Sequence, residues 1–231
     1  MILILASSRD RVARVLAARW DGAGAVVVTC RDLCRPGWQL GDGGAETLAV
    51  DGAVIDASRL TGVLVRLAGV QPDELRHVGA DDREYAAAEL TAFLLAWLTA
   101  LDVPVLNRPT ATCLSGPGWR PEQWTRAAAQ IGIGVRPVRR RVPATEPVPR
   151  DLEVATVTVA GRRCIGGDPA MRACARALAR HAGAQLVDLH FAAGAPEPTF
   201  TSANPWPDLL RPGVCEATRA ALAARSLDRA A

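Results

Sequence analysis

Short apolar runs alternate with stretches of helical period along this chain. Ile2–Ala6 is apolar at every position, as a strand buried on both faces would be, and the polar Ser7-Ser8-Arg9-Asp10 follows it. Val12, Val15, Leu16 and Trp20 then recur at the 3.6-residue period, and Gly22 and Gly24 close that helix. Ala25–Thr29 reads as a second buried strand, so the chain opens as β-α-β and predicts a parallel sheet. Residues 31–50 show no period and carry Arg35-Pro36-Gly37-Trp38 and Gly41-Asp42-Gly43-Gly44 as breakers. Thr47–Val54 predicts a hairpin arm around Asp51-Gly52, and Gly62–Leu67 a further strand that includes Arg66. A long helix follows to about Leu101, with Asp81 or Asp82 as N-cap and Asp81 with Glu84 in capping-box spacing.

The second half alternates similarly. Val103–Leu106 is a short strand, Pro121 starts a helix ending near Gly132, and Val135–Arg141 is the next strand. Residues 142–150 hold three prolines and no core pattern, as a linker would. Val154–Val159 and Arg162–Ile165 flank Ala160-Gly161 as a hairpin, and Asp168-Pro169 opens a helix that stops at Gly183. Leu186–Phe191 and Thr199–Ser202 form a second hairpin, and Val214–Ala231 a closing Ala-rich helix. The expected class is α/β, with an N-terminal parallel-sheet domain over residues 1–110 and an α+β portion over 111–231.

Composition narrows the function. Apolar residues at 49% and charged residues at 22% suit a globular protein, and a net charge of +3 is too small to argue for nucleic acid or an anionic membrane. All 27 basic residues are arginine, in keeping with a GC-rich bacterial codon usage, so no step can use a lysine amine. Six cysteines stand without a C-x-x-C pair, and the histidines are His77, His181 and His190. Reduced thiols and a cytoplasmic location are the expectation, since Met1–Ala6 lacks the form of a secretion signal and residues 85–101 fall short of a membrane span.

Three strings carry a family resemblance. Val105-Leu106-Asn107-Arg108-Pro109, followed by Arg120-Pro121-Glu122-Gln123-Trp124 and Gly132-Ile133-Gly134-Val135-Arg136-Pro137, is similar to the N-x-P, K-P-x-Q-L and G-I-x-V-P stretch of ATP-grasp ligases. The Val157–Cys164 hairpin resembles that family's strand pair with V-x-G. Leu186-Val187-Asp188-Leu189 with Phe200-Thr201-Ser202-Ala203-Asn204-Pro205 resembles its D-hydrophobic and E-x-N-x-x-P ending. The strings fall in the family's order along nearly the whole chain, and the peptide-ligase branch with a small preceding domain is the nearest form.

The resemblance implies a pre-ATP-grasp-like domain, a shortened ATP-grasp-like portion, and ATP with magnesium as cofactors. It places Arg120, Arg139 and Arg162 as possible phosphate contacts, and Asp188 and Asn204 as metal ligands if Mg-ATP is bound. Three departures argue against the chemistry. Arg120 stands where the family has lysine, the linker 142–150 stands where a lid should lie, and Ser202 stands where a metal-binding carboxylate should be. A hydrogen bond to a charged group contributes about 1.5–3 kcal/mol, so losing two weakens ATP binding by roughly two to four powers of ten.

No catalytic residue is therefore assigned, and the expected role is a pseudoenzyme that binds a peptide or partner enzyme. The alternatives are a minimal ATP- and Mg-dependent carboxylate–amine ligase, and a binder of a small anionic metabolite. Other features read two ways. Asp188 and His190 share a strand face as alternation dictates, Cys113 has no histidine near it in sequence, and Arg139-Arg140-Arg141 with Arg162-Arg163 suit either solvent or an anion. Arg66 ends a strand where open parallel sheets place ligands, and Trp38, Trp119, Trp124 and Trp206 suit core packing or stacking.

Overall fold

A computed structural model of the chain describes residues 1–41, 46–136 and 153–224. Arg139, the linker 142–150 and the last seven residues of the expected closing helix lie outside them. The chain divides into two compact units, Met1–Gly118 together with Asp208–Ala231, and Trp119–Pro207.

The first unit is built on four parallel strands, β1 (Ile2–Ala6), β2 (Val26–Val28), β5 (Gly62–Arg66) and β6 (Val105–Leu106), in the order β2-β1-β5-β6. β1 is buried at all five positions because it lies inside the sheet with helices in the layers around it, which is why its sequence does not alternate. Helix α1 (Arg11–Arg19) starts where Asp10 Oδ1 accepts the Ala13 amide at 3.0 Å. Between β2 and β5 lie a short helix, α2 (Cys30–Leu33), and the hairpin β3 (Thr47–Val50) and β4 (Ala53–Asp56). Asp51 and Gly52 turn that hairpin with φ of 49° and 81°, the left-handed pair that a two-residue turn requires.

Helix α2 falls in a stretch expected to be irregular. Four residues cannot show a period, and its signal is local: the Asp32 carboxylate accepts both the Thr29 amide, at 3.0 Å, and the Thr29 hydroxyl, at 2.7 Å. Helix α3 (Arg83–Ala100) packs Leu94, Trp97 and Leu98 into a core with Leu3, Leu5, Val63 and Val65, and each such side chain contributes roughly 1.5–3 kcal/mol. Its expected Asp81–Glu84 capping box does not form. A 3-10 turn over Ala80–Asp82 leads into the helix and Asp82 makes no side-chain cap; instead Arg83 reaches back to the carbonyls of Val78 and Arg76, at 3.0 and 3.1 Å. At the other end Arg108 is directed at the carbonyls of Leu98, Thr99, Leu101 and Val103, at 3.2–3.4 Å, where a cation suits the helix dipole.

The closing helix, α6 (Val214–Ala223), belongs to the first unit, although the sequence groups it with the second portion. It packs on β5 and β6, and its last turn lies so close to Gly62 that a Cβ there would collide with the Leu222 carbonyl oxygen. Close approach thus requires glycine in the first position of β5.

The second unit holds a five-stranded sheet in the order β7-β11-β10-β8-β9: β7 (Gly134–Val135), β8 (Val154–Ala160), β9 (Arg163–Ile165), β10 (Leu186–Ala192) and β11 (Thr199–Asn204). β7 pairs parallel with β11 and the other pairs are antiparallel. Helix α4 (Pro121–Gln130) packs on β7 and β11, and α5 (Pro169–His181) on β8, β9 and β10. Asp168 Oδ1 caps α5 by accepting the Met171 amide at 2.8 Å. Trp124, Ala128, Ala175 and Leu178 from the helices meet Val157, Val159, Val187, Leu189 and Phe191 from the sheet in one apolar core.

Candidate functional site

Alternation along the five-stranded sheet sends those valines, Leu189 and Phe191 to the helices and leaves a polar set on the opposite face. Asp188 is directly across from Asn204 on β11 and from Thr158 on β8, and two residues on His190 is across from Ser202 and Thr156. Opposed residues of an antiparallel pair point to the same side, so the strings that hold Thr158, Asp188 and Asn204 converge on one row. The geometry confirms the face. Thr158 Oγ1 donates to Asp188 Oδ1 at 2.5 Å with both residues buried, and Thr156 Oγ1 lies 3.0 Å from His190 Nδ1. A bulge between His190 and Phe191 then shifts the register, and the Thr201 hydroxyl donates to the His190 carbonyl at 3.0 Å.

Asn204 is occupied locally. Its Nδ2 donates to the Trp206 carbonyl at 2.8 Å and its Oδ1 accepts the Trp206 amide at 2.9 Å, which closes the end of β11 into a tight turn. Magnesium takes hard oxygens in near-octahedral geometry, and a serine hydroxyl replaces a carboxylate poorly. One buried carboxylate that already accepts a hydroxyl, one amide closed on Trp206 and the Ser202 hydroxyl fall short of the ligand set that the sequence resemblance implies. Among the described residues this row does not supply the ligands of a magnesium–nucleotide centre.

The two predicted arginines among the described residues lie apart. Arg120 is exposed at the start of α4, where its backbone N–H donates to Gln123 Oε1 at 2.8 Å. That helix covers the β7–β11 side of the sheet on the apolar face. Arg162 is exposed in the β8–β9 turn at the opposite edge. The turn comprises Gly161-Arg162, one residue later than its sequence pattern suggests, so Arg163 is the residue across from Ala160, on the same side as Thr158 and Asp188. Of the pair Arg162-Arg163 it is therefore Arg163 that lies on the polar face, and Thr158 is the residue of that face the motifs do not single out; the Thr-x-Thr alternation in β8 is the available signal.

Other candidates are accounted for by local contacts. Arg66 Nε donates to Asp10 Oδ2 at 2.6 Å in a mostly buried ion pair, and so braces the α1 cap. Cys113 is half-buried with its Sγ 3.4 Å from Ser115 Oγ. Trp124 is buried and packs edge-on against Trp119 at 5.0 Å, Trp38 Nε1 donates to the Asp32 carbonyl at 3.1 Å, and Trp206 is partly exposed. Burial, with Glu74 nearby, pushes the Cys30 thiol up to about 12, which keeps it protonated and unreactive. No helix among the described residues is long and apolar enough to cross a membrane.

No protein-family model and no curated protein matches the sequence. Solved structures do match the fold. The macrocyclase MdnC from Microcystis aeruginosa MRC, bound with the precursor peptide MdnA, has a TM-score of 0.65 at 11% identity, over 96% of this chain and 98% of that one. The ATP-grasp ligase PsnB complexed with a minimal precursor gives 0.66 at 14% identity, over 95% and 98%. A Chryseobacterium gregarium RiPP-associated ATP-grasp ligase, in complex with ADP and a leader and core peptide, gives 0.61 at 12%, over 96% and 94%. At these identities the likeness is one of fold.

Proposed function

From an ATP-grasp fold shared along nearly the whole chain, we propose that this protein is a degenerate member of that architecture which acts by binding rather than catalysis. Its ligand is a peptide or a partner enzyme. One observation carries the reading: Ser202-Ala203-Asn204 stands where an acid–x–Asn string is expected, and leaves Asp188 as the carboxylate of the row, bonded to Thr158. The absence of lysine points the same way, since Arg120 replaces the expected phosphate-binding amine at the start of α4. Support for a peptide comes from the solved relatives in fold, several of which hold a precursor peptide.

Calorimetric titration of the full chain with ATP, with and without magnesium, tests this directly. The expected result is no saturable magnesium-dependent binding up to about 1 mM ATP. Micromolar, magnesium-dependent binding that Asp188→Ala abolishes would overturn it in favour of a carboxylate–amine ligase, with Arg120 on phosphate and Asp188 and Asn204 on the metal. Native mass spectrometry of gently purified protein is expected to show a co-purifying peptide or protein.

A further inference from the structure

The first unit carries a second place where a ligand can bind. Going from β1 the chain steps to β2 on one side, and then returns to place β5 on the other. In open parallel sheets the loops beyond the strand C-termini part at such a reversal and leave a crevice. Here the crevice encloses about 510 Å3, a size suited to a small molecule. Three loops wall it: Ser8 and Arg9 follow β1, Arg31 lies on α2 just after β2, and Asp73, Glu74, Arg76 and His77 follow β5.

The charges in this crevice are not balanced. Glu74 is satisfied by the chain: its carboxylate accepts the Ser7 hydroxyl at 2.5 Å and the Ser8 amide and hydroxyl at 3.1 and 3.0 Å. It thereby fills the turn before α1, where an anion would otherwise meet backbone amides. Asp73 is paired with Arg9 at 2.8 Å. Among the described residues the Arg31 and Arg76 guanidiniums and the His77 ring have no hydrogen-bond or ion-pair partner. Two exposed cations, each with a planar fork of donors, thus line a cleft whose own acids are already engaged.

We propose that this crevice is a binding site for a compact ligand with two acidic groups, one for Arg31 and one for Arg76, with His77 as a further donor. Carboxylates and phosphates share that chemistry. The site lies wholly in the first unit and does not depend on whether the polar face of the second unit binds nucleotide.

The test uses the full chain in magnesium-free buffer, titrated separately with citrate and with inorganic pyrophosphate, by calorimetry and by amide chemical shifts. Saturable binding of at least one is expected, with shifts at Ser8, Arg31 and His77; tighter binding of citrate identifies a carboxylate ligand, and of pyrophosphate a phosphorylated one. The double variant Arg31→Gln/Arg76→Gln is expected to weaken binding by about tenfold or more while leaving thermal unfolding unchanged, because two charge-assisted contacts are lost. Arg176→Gln, on α5 in the other unit, is expected to leave it unaltered. No saturation by either anion up to about 10 mM would overturn the proposal. So would equal affinity in the double variant, or shifts confined to residues 119–207. If the double variant unfolds at a lower temperature, Arg31→Lys/Arg76→Lys keeps the charge without the fork, and undiminished binding in it refutes the paired-fork geometry.

Discussion

Thr158 holds the best-buried hydroxyl of the polar row, and its contribution can be isolated. Replacing it with valine keeps the shape and removes the donor, so the Asp188 carboxylate loses one partner while staying buried. Thr158→Val is expected to lower unfolding stability by about 1–3 kcal/mol in urea denaturation, whereas Thr158→Ser retains most of it. Glu74 makes a different kind of prediction. Burial pushes its carboxyl up, but the hydrogen bonds from Ser7 and Ser8 and the charge of Arg9 outweigh that and hold it below its ordinary value of 4.5. A depressed carboxyl stabilises the fold above its unfolded value and loses that contribution as pH falls through its folded value. Acid unfolding of Glu74→Gln, followed by fluorescence, is therefore expected to start from a lower stability at pH 7 and to fall less steeply than wild type below pH 4.5. None of this network was visible in the sequence pattern, since Ser8 and Glu74 are 66 residues apart and each looks like an ordinary loop residue.

At the scale of elements, what could be read from the sequence was what repeats. The apolar runs of β1 and β5, the alternation of β10 and the inner face of α5 follow from burial that acts along the whole element. Ends and registers depend on single contacts and were read less well, as the Arg83 hooks in place of a capping box illustrate. The candidate site shows the same division. The strings around Asp188 and Asn204 were recognised, but that these two residues face each other follows from strand register, which no string encodes. Gly62 gives an element-scale test. Gly62→Ala must push the last turn of α6 off β5, and is expected to cost about 1–3 kcal/mol in thermal or chemical unfolding. Shortening the chain before Val214 should make the same substitution nearly neutral, because its steric partner is gone.

For the whole molecule, the second unit is an uninterrupted stretch set between the two pieces of the first. It has its own sheet and its own core, so residues 119–207 expressed alone are expected to unfold cooperatively in a thermal melt followed by circular dichroism. Residues 1–118 alone lack α6, and their sheet is expected to expose the face that α6 covers, seen as dye binding and a lower melting temperature than the full chain. A cooperative, dye-silent fragment 1–118 would instead make the boundary near residue 110 the better division.

The arrangement also sets an order in time. A chain made from its N-terminus presents β1, β5 and β6 before the second unit, yet the helix that closes over β5 and β6 is made only after that unit. The inserted unit can complete its sheet while the first waits, so the sheet made first is sealed after the one made second.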